Sequence, residues 1–275
     1  MRAKCGFQTP IDAQAADSLM RSNEISLPNT AFYGCSYRRS GAIMQVEIWS
    51  DVVCPWCYIG KRRFETAVRQ FEGRLDVEVV WRSFELDPSA PKAIGKDMVT
   101  MLSEKYRMSR EKAIESIANL TSLAVSEGLE YHLESAKMGN SFDAHRLLQL
   151  AVLTGHGDAM KERLLKAYFT EAMEISSQEV LVELGTEVGL QATTILDMYA
   201  GDYMAKEVRS DEALASKYGI KGVPFYVFDS KYGVSGAQAT EVFVEVLSKV
   251  SEESPALSFP VESDAPGCTD DSCAV

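Results

Sequence analysis

Apolar residues follow two different spacings between positions 46 and 81, one typical of strands and the other typical of a helix. The segment VEIW at 46–49 has the composition of a strand, and alternating apolar positions at 77–81 predict a second strand. Between them, Phe64 and Val68 belong to an apolar stripe with helical spacing, which predicts a helix over 58–71. The pattern therefore predicts a strand–helix–strand unit.

Helix-forming residues dominate from Pro88 to about Tyr203, where strand signals nearly vanish. Ser109 has the position of a helix N-cap, and Ser176 with Glu179 fits a capping box in which the glutamate reaches back to the cap. We therefore expect a long all-helical segment in the middle of the chain.

Strand sequence returns after this segment. One more helix is expected to end near Gly219, followed by a strand at 225–228, a hairpin turn at 229–233 and a short partner strand at 234–235. An amphipathic helix is expected over 240–250. The β-rich parts thus flank the helical segment on both sides.

These segments predict an α/β protein with a large inserted all-helical domain. Residues 44–87 and 206–250 would build the α/β domain, and residues 88–205 the insertion. Residues 1–43 show no sustained period, so we expect a disordered extension or an upstream mis-start, with Met44 as the alternative biological start.

Charge is concentrated in the C-terminal tail, residues 251–275. The formal net charge of the chain is −12, and the tail holds six acidic residues and no basic one. This acidity argues against nucleic acid or an anionic membrane as the main partner, and it predicts a flexible tail. Because no apolar run is long enough to cross a bilayer and no signal-peptide pattern is present, the cytoplasm is the expected compartment.

The six cysteines fall into three pairs, and the CPWC motif at 54–57 carries the clearest chemistry. At a strand-to-helix turn, Cys54 lies where free backbone N–H groups favour an anion, which predicts a lowered thiol pKa and a nucleophilic thiolate. Cys57, one turn inside the helix, is then the resolving thiol. A zinc site would need a second pair nearby, so the spacing favours redox chemistry and no metal. The basic run at 61–63 either adds positive field to this helix or forms a solvated face.

The sequence resembles the DsbA-like branch of the thioredoxin superfamily, and within it the FrnE-like group. The matching stretches are VEIWSDVVCPWCYIGKRRFE at 46–65, NSFDAHRLLQLA at 140–151, LLKAYFTEAMEIS at 164–176, GIKGVPFYVF at 219–228 and VSGAQ at 234–238. The resemblance implies a thioredoxin fold with an inserted helical domain, and disulfide exchange chemistry. It also implies a cis peptide before Pro224, with the Val223-Pro224 loop facing the cysteines.

The same resemblance sets expectations for partners. Protein thiols and disulfides are the implied substrates, and Trp56, Val223 and Pro224 form the implied substrate-binding loop. Redox exchange with glutathione or a thioredoxin-like reductant is expected without any bound cofactor, in a monomer or a dimer. Two other classes stay open, namely a glutathione-dependent isomerase or kappa-class transferase, which typically has serine at the position of Cys54, and a non-catalytic holdase.

Three positions qualify the resemblance. Relatives commonly have a buried acidic residue six positions before the first cysteine, where this chain has Ile48. Glu47 is one position further, and strand alternation turns it to the opposite face. Trp56 replaces the histidine of the exported oxidant DsbA, which predicts a less oxidising potential. His145 matches a family motif but is expected to be structural.

The tail pair, Cys268 and Cys273, resembles the CxxxxC extension found in some FrnE proteins. Its expected role is a relay that exchanges disulfides with Cys54 and Cys57. A flexible tether raises the local concentration of the tail thiols at the first pair. Idle thiols in a solvated tail and a weak metal-binding tail are the alternatives.

If the relay operates, partial oxidation should trap a mixed disulfide between Cys54 and a tail cysteine. Peptide mass mapping over a series of glutathione ratios measures this species, with the Cys268→Ser/Cys273→Ser variant as the control. Absence of the mixed disulfide at every ratio would contradict the relay.

Overall fold

The computed structural model of the chain describes residues 43–71 and 75–253. The expected N-terminal extension, apart from Ile43, and the acidic tail from residue 254 on, with Cys268 and Cys273, lie outside the described residues. The predictions made for these two segments therefore stay predictions. Residues 251–253 are helical, so the flexible tail predicted from residue 251 is wrong for its first three residues.

A four-stranded mixed sheet forms the β-rich part of the protein. Its strands, in chain order, are Ile43–Ser50 (β1), Asp76–Ser83 (β2), Phe225–Phe228 (β3) and Tyr232–Ser235 (β4). The spatial order is β2-β1-β3-β4, in which β1 and β2 are parallel and the other two pairings are antiparallel. All four predicted strands are present, and β4 begins two residues earlier than predicted.

The described residues contain nine α-helices and a short 3₁₀ helix at Leu133–Ser135. The α-helices are Pro55–Arg69 (α1), Met98–Tyr106 (α2), Arg110–Ser126 (α3), Phe142–Leu153 (α4), Gly157–Phe169 (α5), Gln178–Glu187 (α6), Ala192–Ala200 (α7), Ala205–Lys217 (α8) and Thr240–Glu253 (α9). Residues 88–205 thus contain helices and no strand, as the sequence predicts. The fold is a thioredoxin-like α/β fold with a helical insertion.

Two helix starts show how local sequence succeeds and fails. Helix α3 begins as predicted, because the Ser109 hydroxyl accepts a hydrogen bond from the Lys112 N–H at 3.3 Å. The capping box predicted from Ser176 and Glu179 is wrong. The N-cap of α6 is Ser177, one residue later, and its side chain makes no capping hydrogen bond.

Helix α1 starts at Pro55, three residues before the predicted position, with Cys54 as its N-cap in an extended conformation. The fixed φ of proline suits the first helical position, where its missing N–H needs no partner. The early start places both cysteines of the CPWC motif at the N-terminus of the helix.

Helices cover both faces of the sheet, since β1 is buried on both sides. On one face Phe64 of α1 packs against Tyr226 and Phe243, with ring centroids 5.5 and 5.7 Å apart. On the other face Trp49 donates its indole N–H to the Asp211 carbonyl of α8 at 3.0 Å. The first of these cores continues without a break into the helical segment, where Leu147 belongs to the same cluster.

Close approach of α1 to the loop before β3 requires a glycine. A Cβ added at Gly60 would lie 2.5 Å from the Tyr226 hydroxyl oxygen and 3.1 Å from Pro224 Cγ. Tyr226 is fully buried, so its ring has no free space into which it can move.

We predict that Gly60→Ala lowers the free energy of unfolding by up to about 2 kcal/mol. The usual cost of overpacking, about 1–3 kcal/mol, is offset in part by the roughly 1 kcal/mol by which alanine normally favours a helix over glycine. Chemical denaturation measures the change. Gly201→Ala is the matched control, because no heavy atom lies within 4 Å of its added Cβ. Equal stability of the two variants would contradict the prediction.

Candidate active site

The CPWC motif forms the first turn of α1. The Cys57 N–H donates to the Cys54 carbonyl at 3.0 Å, and the Cys54 N–H donates to the Asp51 carbonyl at 3.4 Å. Both cysteines are free thiols and both are buried, while 45% of Trp56 is exposed. The turn therefore holds the two sulfur atoms below the surface and presents the indole to solvent.

The loop before β3 faces this turn. The Val223-Pro224 peptide is cis, and the Cys54 thiol donates to the Val223 carbonyl at 3.5 Å. The Pro224 carbonyl is held in turn by the Gly236 N–H at 2.8 Å. The structure thus brings together Cys54, Cys57, Val223 and Pro224, and the implied cis peptide is confirmed.

A buried carboxylate lies next to the motif, three residues before Cys54. Asp51 Oδ2 accepts the Leu86 N–H at 2.7 Å, and Asp51 Oδ1 lies 3.2 Å from His145 Nε2. Burial raises the pKa of Asp51, but hydrogen bonds from His145 and the Leu86 N–H outweigh it, so the pKa is lowered. Asp51 is therefore ionised, and His145 of α4 acts by holding it in place.

A fully buried lysine lies on the helical side of the motif. Lys161 of α5 has its Nζ 3.4 Å from the Ser50 carbonyl oxygen and 5.4 Å from the centroid of the Trp81 ring. Burial lowers its pKa to about 8, although the negative charge available at Cys57 and Asp51 opposes that shift.

The two thiols share one proton, and it resides on Cys54. A hydrogen bond shared with Cys57, together with burial, raises the pKa of Cys54 well above its ordinary value. Burial also raises the pKa of Cys57, but the hydrogen bond from Cys54 and the charge of Lys161 outweigh it, so that pKa is lowered. The lowered Cys54 pKa predicted from the helix N-terminus is therefore wrong for this dithiol geometry. The negative charge of the pair belongs to Cys57, which lies deeper.

Glu47 makes its contacts on the opposite side of β1. Its carboxylate accepts from Arg82 at 2.6 Å, and Arg82 also binds Asp211 of α8 at 3.1 Å. Strand alternation predicts this orientation. Proton handling at the cysteines consequently has no contribution from this ion-pair network.

The basic residues that follow the motif are neutralised within the protein. Lys61 is buried and pairs with Glu65 and Glu162, and Arg63 binds Glu127 at 2.6 Å. The alternative of a solvated face is wrong, because these side chains are paired within the protein, and none of the three basic residues is among the main causes of the pKa shifts of the two thiols.

Sequence reasoning missed Lys161 and gave Asp51 and His145 no part in the site. The sequence carries no signal for the role of Asp51, because its partner His145 is 94 positions away. Lys161 had a detectable signal: it shares a helical stripe with Leu164, Leu165 and Tyr168, all of which are buried.

No cluster of three or more metal-ligating side chains occurs within residues 43–71 and 75–253. In the same part of the chain, no helix combines the length and the apolar character needed to span a bilayer.

Residues 45–248 match the model of the DSBA-like thioredoxin domain, and the chain belongs to this family. A probable DsbA oxidoreductase from Streptomyces coelicolor is 44% identical and covers 84% of this chain and 99% of its own, with a TM-score of 0.74. YwbO of Bacillus subtilis is 26% identical over 74% of this chain and 96% of its own length. The cytosolic disulfide reductase DsbM from Pseudomonas aeruginosa shares the fold at 18% identity, with 76% and 100% coverage and a TM-score of 0.51.

We predict that Asp51→Asn makes the cysteine pair more reactive. The carboxylate raises the pKa of Cys54, so its removal favours the thiolate, and each unit of pKa is tenfold in thiolate below the pKa. Alkylation by iodoacetamide near neutral pH should become a few-fold to about tenfold faster.

Asparagine retains an oxygen that accepts the Leu86 N–H, so the turn is preserved. Asp211→Asn is the control, because this buried carboxylate contacts Arg82 and Gln149. Slower alkylation of the Asp51 variant, or equal acceleration of both variants, would contradict the prediction.

Proposed function

We propose that this protein is a thiol–disulfide oxidoreductase of the FrnE-like group that acts on protein thiols and disulfides. Cys54 is the nucleophile and Cys57 is the resolving thiol. The observation that carries the proposal is the Cys54 thiol at the N-terminus of α1, facing the Val223 carbonyl across the cis-proline loop. Membership of a DsbA-like family supports oxidoreductase chemistry at this pair.

The proton that the two thiols share supports Cys54 as the thiol that attacks first and Cys57 as the thiol that attacks second. Cys57 carries the negative charge in the dithiol, and transfer of the Cys54 proton to Cys57 gives the attacking thiolate without a further ionisation. The thiolate then lies at the free N–H groups of α1, beside the exposed Trp56.

Attack on a substrate disulfide forms a bond between Cys54 and one substrate sulfur, and the other substrate sulfur leaves as a thiolate. Cys57 then releases to water the proton that it took from Cys54, and its thiolate attacks Cys54, which closes the enzyme disulfide and releases the second substrate thiolate. Two electrons pass from the enzyme to the substrate, and the released thiolates take up protons from water. The reverse sequence oxidises a substrate dithiol.

The Val223 carbonyl supports a protein substrate. Cys54 loses its S–H when the mixed disulfide forms, which frees this carbonyl to accept an N–H from an extended chain. Trp56 provides an exposed apolar surface beside it. Glutathione or a thioredoxin-like reductant is the proposed redox partner, in the cytoplasm, with Cys268 and Cys273 as the proposed relay.

A glutathione-dependent isomerase or kappa-class transferase is a weaker proposal, because the second thiol has no role in that chemistry. A holdase would need only Trp56 and the proline loop. The cysteine variants below separate these classes.

Cys54→Ser is expected to abolish glutathione-coupled insulin reduction. Cys57→Ser is expected to accumulate a stable mixed disulfide at Cys54, because the thiol that resolves it is missing. Turnover and acid-quenched mass spectrometry measure the two effects, with wild type as the reference.

Three outcomes would contradict the proposal: wild type without exchange activity, Cys54→Ser with wild-type activity, or suppression of aggregation as the only activity and unaffected by Cys54→Ser. Glutathione-dependent cis–trans isomerisation that survives Cys57→Ser would favour the isomerase class.

A further inference from the structure

Lys161 is placed at the active site by the helical segment. It belongs to α5, whereas the cysteines belong to the turn between β1 and α1. The side chain is fully buried, and its only hydrogen-bond acceptor in the described residues is the Ser50 carbonyl at 3.4 Å. Ser50 ends β1, so the ammonium lies directly at the base of the CPWC turn.

A buried ammonium needs a nearby negative charge, because removing it from water carries a large free-energy cost. No carboxylate of the described residues forms an ion pair with Lys161. The nearest candidate, Asp51, has its oxygens bound by His145, the Leu86 N–H and the Val53 N–H. The charge of Asp51 still acts on the ammonium through space, but Cys57 is the group whose negative charge acts on it most strongly.

The contrast with Lys61 supports this assignment. Lys61 is a second buried lysine, one turn beyond Cys57 on α1, and it has Glu65, Asp158 and Glu162 as ion-pair partners. Its charge is fully compensated: burial alone would lower its pKa, but those three carboxylates outweigh burial and the pKa is raised. Lys161 has no such carboxylate set in the part of the chain that the structure describes, and its pKa is lowered to about 8.

We propose that Lys161 is a positioning residue for the disulfide exchange proposed above, on which this inference rests: its buried ammonium holds Cys57 as the thiolate that attacks the mixed disulfide at Cys54. In that step the Cys57–Cys54 bond forms, the bond between Cys54 and the substrate sulfur breaks, and the substrate leaves as a thiolate that takes a proton from water. Lys161 keeps its proton throughout.

The groups that face Lys161 define the pH dependence. Helix α1 contributes Cys57, Cys54 and the compensated Lys61, the turn after β1 contributes Asp51, and β2 contributes the uncharged Trp81. Because the pKa of Lys161 is about 8, its ammonium is present below that pH and is lost above it. Any acceleration of the resolving step by Lys161 is therefore confined to pH values below about 8.

The test follows the resolving step in Lys161→Met. Reduced full-length enzyme is mixed with oxidised glutathione, and acid-quenched mass spectrometry follows decay of the Cys54–glutathione disulfide across a pH series. Each unit by which the Cys57 pKa rises lowers its thiolate fraction tenfold, while greater nucleophilicity recovers about threefold. If the Cys57 pKa rises by one to two units, the Cys54–glutathione disulfide should decay about three- to tenfold more slowly than in wild type below the pKa of Lys161. At higher pH we expect a rate equal to or above that of wild type.

Lys61→Met is the matched control and should keep the wild-type rate below the pKa of Lys161; because Lys61 lowers that pKa, its removal should only extend the fast range to higher pH. An unchanged profile in Lys161→Met, or one slowed equally at every pH, would overturn the inference while leaving the proposed function intact. Failure of wild type to form any Cys54–glutathione disulfide would instead overturn the proposed function.

Lys161→Gln, a neutral polar variant, undergoes the same test if the methionine variant does not fold. A further measurement leaves Lys161 in place: in Cys54→Ser, the alkylation rate of Cys57 is followed across a pH series by peptide mass mapping, which gives the pKa of this thiol separately from the four other cysteines. A Cys57 pKa below that of an ordinary thiol supports the inference, because burial alone would raise it. A raised value overturns the inference.

Discussion

The close packing of α1 against the sheet and the proline loop is the constraint on which the site depends. Gly60 lets the helix approach Pro224 and Tyr226, and Phe64 fixes the helix between β3 and α9. Because there is no space for the helix to shift, its N-terminus keeps a fixed position relative to the Val223 carbonyl. The geometry of Cys54 is thus set by packing at the next turn of the same helix.

Charge buried beneath the motif is the second determinant of its chemistry. Asp51 and Lys161 are both fully buried, carry opposite charges and come from different parts of the chain. The hydrogen bond that the two thiols share is the main cause of the difference between their pKa values; Asp51 adds to the raised pKa of Cys54, and Lys161 adds to the lowered pKa of Cys57.

The helical segment takes part in the site as well as covering it. Its helix α4 supplies His145, which holds Asp51, and α5 supplies Lys161. Its apolar residues also belong to the same core as β1. Burying an ionised group is tolerated when its surroundings are rigid and its partners are fixed, and this shared core provides both conditions.

Elements with a local origin were predictable from the sequence. The strands, the start of α3 at Ser109 and the orientation of Glu47 follow from side-chain alternation and from hydrogen bonds between near neighbours. The CPWC motif and the proline loop were identified as a pair through the family resemblance, and the structure places them in contact.

Tertiary structure alone decided the rest. Ser177 became the N-cap of α6 in place of Ser176, so local sequence did not fix even every helix start. The position of Lys161 depends on how α5 packs against the end of β1, a contact that spans 111 residues. The direction of the Cys54 pKa depends on burial and on a shared proton. The sequence by itself singled out the two cysteines and the proline loop as candidates. The fold brought Asp51, His145 and Lys161 to them and determined the protonation of the pair, because a pKa depends on the solvent and charges that surround a group in three dimensions.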